Sequence, residues 1–227
     1  SKVAFGIVGS GWRAEFYLRI AAACPDRFDI VGVVARRQGR REALERMFGV
    51  RTFRDVDAML AATSPTFVVT SLSWDPNPDF VRELVGRGMP VLSETPPAPD
   101  LEGMRSLYKD VQAAGGNVQV AEQFHLQPLH AARIAFASSG KIGRISQAQV
   151  SVCHGYHGVS LIRRLLGVGY ENATVTARTF DEPGVAGASR DAPPGEERIS
   201  TSRQQIAWLD FGDRLGVFDF TSDQYFS

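Results

Sequence analysis

Apolar and polar positions follow two different rhythms along this chain. The stretch from Lys2 to Val8 opens with a short apolar run, Val-Ala-Phe-Gly-Ile-Val, that reads as a buried strand, and Gly9-Ser10-Gly11 breaks it. Trp12 to Ala23 then shows helical spacing, with Phe16, Ile20 and Ala23 at i, i+4 and i+7. Phe28 to Val34 predicts a second apolar strand, and Gly39 to Phe48 a charged amphipathic helix stopped by Gly49. A short strand at Thr52-Phe53, a short helix from Val56 to Ala62 and a strand from Thr66 to Thr70 follow. Next come a helix from Asp79 to Gly86, a strand from Met89 to Leu92, a helix from Leu101 to Ala114 ending at Gly115-Gly116, and a strand from Val118 to Ala121.

Strands that alternate with helices imply right-handed βαβ units and a mostly parallel sheet. The rhythm changes after Ala121. A helix from Leu129 to Ser138 ends near Gly140, Ile145 to Val152 alternates as a strand, and Val159 to Leu166 reads as a short helix closed by Gly167. Three strand-like runs follow, Thr174 to Phe180, Gln204 to Phe211 and Leu215 to Thr221. Residues 181–199 are rich in Pro, Gly and Glu without periodicity, which predicts a long surface loop. The fold class expected is α/β: an N-terminal domain over 1–121 with a parallel sheet, and an α+β domain over 122–227 with a mostly antiparallel open sheet.

Composition narrows the function classes. Of 227 residues 44% are apolar, enough for a sizeable core. Lys+Arg and Asp+Glu balance at 25 each, so net charge gives no reason to expect nucleic acid or an anionic membrane as partner. No apolar run approaches the ~20 residues of a membrane span, and the immediate entry into a strand predicts no signal peptide. Cys24 and Cys153 stand too far apart for a disulfide framework and read as reduced thiols of a cytoplasmic protein. The basic residues are almost all arginines; only Lys2, Lys109 and Lys141 are lysines.

The first strand and helix are joined by Gly9-Ser10-Gly11-Trp12-Arg13-Ala14, a GxGxxA turn. Gly9 allows the tight turn, Gly11 lets the backbone approach a pyrophosphate, and Ala14 keeps the helix close to the sheet. The helix N-terminus offers N–H groups and a positive dipole end to the phosphates. This is the arrangement of a Rossmann dinucleotide-binding domain. The second strand ends at Ala35-Arg36-Arg37, where an NAD enzyme usually carries Asp or Glu for the ribose hydroxyls. Ala35 cannot make that contact, whereas Arg36 and Arg37 suit a 2′-phosphate. NADP is therefore the preferred cofactor, with NAD the alternative.

The order of motifs resembles the Gfo/Idh/MocA family of oxidoreductases. The resemblance runs through Gly-Ile-Val-Gly-Ser-Gly at 6–11, Phe-Gly-Val-Arg-Thr-Phe at 48–53 and Pro-Val-Leu-Ser-Glu-Thr-Pro at 90–96. It continues through Ser-Gly-Lys-Ile-Gly at 139–143 and the His157-centred helix ending in Leu-Leu-Gly at 165–167. It implies oxidation or reduction of a hydroxyl carbon on a sugar, inositol or related polyol, and a second-domain sheet that often mediates homo-oligomers. It also implies a catalytic lysine in Glu-Lys-Pro, where this chain has Glu94-Thr95-Pro96. An Asp four residues before a His is implied as well; His157 fits the His, and Cys153 stands in the Asp position. The chain stops after a strand where the resemblance implies further sheet and a closing helix, as in a reduced second domain or a fragment.

Site candidates follow. His157 is the candidate base, with His154 and Tyr156 near enough to share the role; Glu94 and Thr95 follow a parallel strand and face the ligand crevice. Ser71, Trp74 and Asn77 occupy a similar strand-end loop and are expected to line the cofactor. Glu122, Gln123 and His125 are substrate-pocket candidates. Cys153, His154 and His157 lack a spaced fourth ligand, so no metal is assigned. Thr95 has no proton-accepting state near neutral pH. An oxidoreductase using His157 on a small-molecule substrate, a catalytically inactive sensor or partner-binding protein of the same fold, and a lyase or hydrolase using the cofactor transiently all remain open.

Overall fold

The computed structural model describes residues 2–187 and 196–221. The chain divides into two compact units, 1–121 and 122–227.

The first unit runs β1 (Val3–Val8), α1 (Trp12–Ala23), β2 (Phe28–Val34), α2 (Gln38–Phe48), β3 (Thr52–Phe53), α3 (Val56–Ala62), β4 (Phe67–Thr70), α4 (Asn77–Gly86), β5 (Val91–Ser93), α5 (Leu101–Ala113) and β6 (Val118–Val120). All strands pair in parallel, in the order β3-β2-β1-β4-β5-β6. Period-two alternation in the strands feeds two cores, one on each face of the sheet. On β1, Val8 joins Val56, Met59, Val81, Leu84, Leu107 and Val111 under α3, α4 and α5. Phe5 and Ile7 point the other way, to Ala14, Leu18 and Leu44 of α1 and α2. The order reverses direction between β1 and β4, the switch point where doubly wound sheets bind ligands at the strands' carboxyl ends.

Helix α1 spans the expected residues but buries a different face. Ala14 and Leu18 are buried, while Phe16 and Ile20 are exposed, with Phe16 packed on Trp12 at 4.5 Å between ring centroids. Close approach to the sheet admits alanine at the contact and pushes the larger rings outward.

The second unit opens with a single 3₁₀ turn (Phe124–Leu126), then α6 (Pro128–Ser138), β7 (Gln147–Val150), α7 (Gly155–Leu166), β8 (Thr174–Val185), β9 (Ile199–Asp210) and β10 (Leu215–Thr221). Its sheet has the order β7-β10-β9-β8; β10 runs parallel to β7, and the other pairs are antiparallel. Leu161, Ile162 and Leu166 of α7 pack on Ala148, Val150, Leu209, Phe218 and Phe220 of the sheet.

Two expectations are corrected here. Residues 181–199 are not one long loop: β8 continues through Val185 and β9 begins at Ile199, with Val185 opposite Ile199. Pro183 and Gly184 mask the strand in the sequence, yet β8 is an edge strand, where proline is tolerated. Residues 188–195 of that stretch lie outside the described residues. Helix α7 starts at Gly155, a turn earlier than periodicity suggested, so His157 lies within its first turn. Among the described residues no helix is long and apolar enough to cross a membrane.

Candidate functional site

The glycine turn lies between β1 and α1. Gly9 adopts φ +128°, and a Cβ there would come 2.0 Å from the Ser71 carbonyl oxygen after β4. Only glycine satisfies both restraints. A Cβ on Gly11 would meet nothing within 4 Å, so the space above the helix N-terminus is open. An open cradle at the first turn of α1, where backbone N–H groups have no helical acceptor, fits a dinucleotide pyrophosphate. Ala14 is fully buried beneath it.

Arginines decorate this cradle in two distinct ways. Arg36 and Arg37 follow β2 with exposed side chains. Arg40 turns back: its Nε donates to the Ser10 carbonyl at 2.8 Å, and it pairs with Glu15. Arg41 donates to the carbonyls of Ala35 and Arg36 at 2.8 and 2.9 Å, fixing the strand end. Arg40 and Arg41 thus shape the site, leaving Arg36 and Arg37 at its rim.

Across the sheet edge, Ser71 is buried and Trp74 is half exposed. Asn77 is only 2% exposed; its Nδ2 donates to Ser93 Oγ at 2.9 Å and to the Pro97 carbonyl at 2.8 Å, while Oδ1 has no partner among the described residues. Asn77 therefore braces the loop after β5. In that loop the Thr95–Pro96 peptide is cis. Glu94 Oε1 accepts from Arg13 Nε at 3.0 Å and from Tyr17 OH at 2.6 Å. Glu15, Tyr17 and Arg40 were not singled out by sequence; their partners lie 25 or more residues away, beyond any local periodicity. A separate cleft of about 530 Å³, lined by Lys2, Phe28, Asp29 and Val50, opens at the opposite edge of this sheet, away from the glycine turn.

The second unit gathers its own polar cluster. His157 is 5% exposed, and its Nδ1 lies 2.5 Å from Glu122 Oε2. Its ring is flanked by Phe124 at 4.5 Å and Tyr156 at 4.3 Å. Gly158 lets α7 sit this close to β10, since a Cβ there would come 2.5 Å from Phe218 Cε2. Burial alone would raise the Glu122 pKa, but the hydrogen bond and charge of His157, with the Phe124 N–H donating at 3.1 Å, hold it below the usual carboxylate range. In the neutral tautomer of His157 that carries its hydrogen on Nδ1, the ring donates to the Glu122 carboxylate and Nε2 keeps its lone pair.

Cys153, in the position where the resemblance implies Asp, is fully buried, and burial, followed by the charge of Glu122, pushes its thiol up to about 12. It carries no charge near neutrality. The carboxylate beside His157 is that of Glu122, 35 residues before it in the chain. His154 precedes the first turn of α7 and packs edge-on to Phe220 at 5.4 Å. His125 Nδ1 is buried with no hydrogen-bond partner among the described residues, and burial, then the charge of Arg164, lowers its pKa. Gln123 is exposed, and its carbonyl closes the 3₁₀ turn. Among the described residues no group of three or more His, Cys, Asp and Glu side chains is arranged to hold a metal ion.

Comparison with known proteins agrees with the fold. The profile described as "Oxidoreductase family, NAD-binding Rossmann fold" (Gfo/Idh/MocA) matches residues 3–122. No curated protein sequence matches the chain. Among solved structures, GenD2 from gentamicin A biosynthesis, in complex with NAD, superposes with a TM-score of 0.74 at 20% identity, over 98% of this chain and 66% of that one. The WlbA dehydrogenase from Chromobacterium violaceum, with NADH and UDP-GlcNAcA, gives 0.74 at 18% identity, over 99% and 68%. An oxidoreductase from Agrobacterium radiobacter, with NAD+, L-tartaric acid and magnesium, gives 0.74 at 20% identity, over 96% and 66%. The chain thus spans about two thirds of the length of these structures. With its glycine turn, its strand order and a profile match over more than half its length, the chain belongs to the Gfo/Idh/MocA family of oxidoreductases.

Proposed function

We propose that this protein is an NADP-preferring oxidoreductase that transfers a hydride between the cofactor and a hydroxyl or keto carbon of a sugar-like or polyol substrate. The observation that carries the reading is the buried Glu122–His157 hydrogen bond; within the first unit, the glycine turn with its open cradle supports the cofactor half of it. Gly9, Ser10, Gly11 and the first turn of α1 bind the pyrophosphate, with Trp12 and Arg13 at its flank. Arg36 and Arg37 pair with the 2′-phosphate, and Ser71, Trp74 and Glu94 lie along the same sheet edge toward the nicotinamide half. When bound, the nicotinamide supplies the hydride acceptor. His157 Nε2 takes the hydroxyl proton, and Glu122 holds the ring by Nδ1 and offsets the imidazolium charge. His154, Tyr156, Gln123 and His125 orient the substrate. Structures of this fold solved with a nucleotide sugar acid or tartaric acid support a polyhydroxylated substrate class.

Binding of both reduced cofactors, followed by fluorescence, tests the first half. NADPH binds more tightly than NADH, and Arg36→Ala with Arg37→Ala erases the preference, a loss of roughly tenfold to a hundredfold for a charge-assisted contact of ~1.5–3 kcal/mol. Tighter NADH binding rejects the NADP assignment. A panel of polyols and keto-sugars tests the second half; His157→Ala lowers kcat by about 10²–10⁴.

Thr95 in the lysine position favours a second reading, a cofactor-binding sensor without turnover. Binding without turnover across the panel, unchanged in His157→Ala, identifies that case. The free cysteines suit a reducing compartment, and we place the protein in the cytoplasm. We further propose a homo-oligomer through the sheet face opposite α7, which carries Ile206, Val217 and the half-exposed Trp208. A monomeric mass in solution would rule that out.

A further inference from the structure

The carboxylate of Glu94 is held by two side chains of α1, a contact to which the proposed chemistry gives no role. Arg13 and Tyr17 stand one turn apart on α1, so both reach the same side of the helix. Both donate to the same oxygen, Oε1, at 3.0 and 2.6 Å. Among the described residues the other oxygen, Oε2, has only the Thr95 N–H at 3.3 Å, beyond the usual range for such a bond. The Glu94 side chain is 11% exposed. A carboxylate so enclosed needs a compensating cation. Thr95 provides none, and Arg13 provides it from the phosphate-binding helix. Burial, then the negative charge of Glu94, raises the Tyr17 pKa, so Tyr17 remains a proton donor throughout the working range. The backbone is pinned as well, since Glu94 N–H donates to the Thr70 carbonyl at 2.9 Å.

We propose that Arg13 and Tyr17 are positioning residues that saturate Glu94 Oε1 and hold Oε2 as a free acceptor for a ribose hydroxyl on the nicotinamide side of the cofactor. The inference rests on the cofactor reading above. In the strand order β2-β1-β4-β5, the rim arginines follow β2, the phosphate turn follows β1 and Glu94 follows β5. A dinucleotide laid along that edge, with its adenosine over β2, brings its second ribose toward Glu94. The pair therefore couples the helix that takes the pyrophosphate to the loop that takes the other half of the molecule.

The test compares two ligands in the full chain by calorimetry. NADPH carries the second ribose, and ADP does not. Tyr17→Phe removes one hydroxyl from an otherwise unchanged ring. It weakens NADPH about tenfold, as for loss of a hydrogen bond to a charged group, and leaves ADP affinity as in the wild type. Glu94→Gln gives the same selective loss. The double variant loses no more than Glu94→Gln alone, because the two act as one unit. Equal losses for NADPH and ADP, or no loss for NADPH, overturn the positioning role and leave the cofactor reading standing. Absence of NADPH and NADH binding by the wild type overturns both.

Discussion

Two atoms at the turn define what position 9 can be. A methyl group on Gly9 collides with the Ser71 carbonyl, and the backbone there has a positive φ that L side chains rarely adopt. Gly9→Ala should destabilise the protein by roughly 1–3 kcal/mol and weaken cofactor binding; a thermal melt and a fluorescence titration report the two effects separately. Cys153 offers a second check at this scale. With its thiol pushed up to about 12, it stays unreactive at pH 8. A bulky thiol reagent should titrate Cys24 alone in the native protein and both cysteines after denaturation. The glycine turn was legible in sequence because its requirements are local. The Glu122–His157 pair was not, since 35 residues separate the partners and nothing periodic links them. The same holds for Glu94 with Arg13 and Tyr17, 81 and 77 residues apart.

Helix α7 and strand β10 interlock through two glycines. Gly158 sits against Phe218, and Gly216 sits against Ile162, where a Cβ would come 2.5 Å from Cγ2. Gly216→Val should therefore cost about 1–3 kcal/mol by overpacking. Because His157 adjoins Gly158, the same variant should also lower turnover, and a melt beside an activity assay measures both. Several elements of the first unit were legible because strands such as β1 are apolar runs and because a left-handed glycine, Gly49, ends α2. Element faces were less so. The pattern of α1 offered Phe16 and Ile20 as a buried stripe, and packing chose Ala14 and Leu18 instead. Local propensity also hid the start of α7 at Gly155 and the continuation of β8 through Pro183, which tertiary pairing overrides.

At the scale of the whole molecule, charge decides the pH behaviour. Lys+Arg and Asp+Glu cancel, so mutual repulsion between molecules is weakest near neutrality, and solubility should pass through its minimum there. Stability follows a different rule. The Glu122 pKa is depressed in the folded protein. Its contribution is present above the ordinary carboxylate pKa and lost as pH falls through the folded value. The melting temperatures of wild type and Glu122→Gln should differ at neutral pH, converge below about pH 4 and coincide in stronger acid. A difference that persists unchanged into acid would show that Glu122 acts through packing alone. The two-unit arrangement was visible in sequence as the change from alternating strands and helices to a run of strands. The parallel pairing of β7 with β10 was not, because it joins segments far apart in the chain.

The long β8 strand has a further consequence. It lies at one side of the four-stranded sheet, so among the described residues one row of its peptide groups faces no neighbouring strand. Such a row is a template on which a foreign chain can grow. Here the strand carries Arg178, Asp181 and Glu182, and Pro183 offers no N–H at all. The residues that disguised this segment as a loop also make it a poor seed for fibrils, so the sheet can keep an open border without recruiting misfolded copies along it.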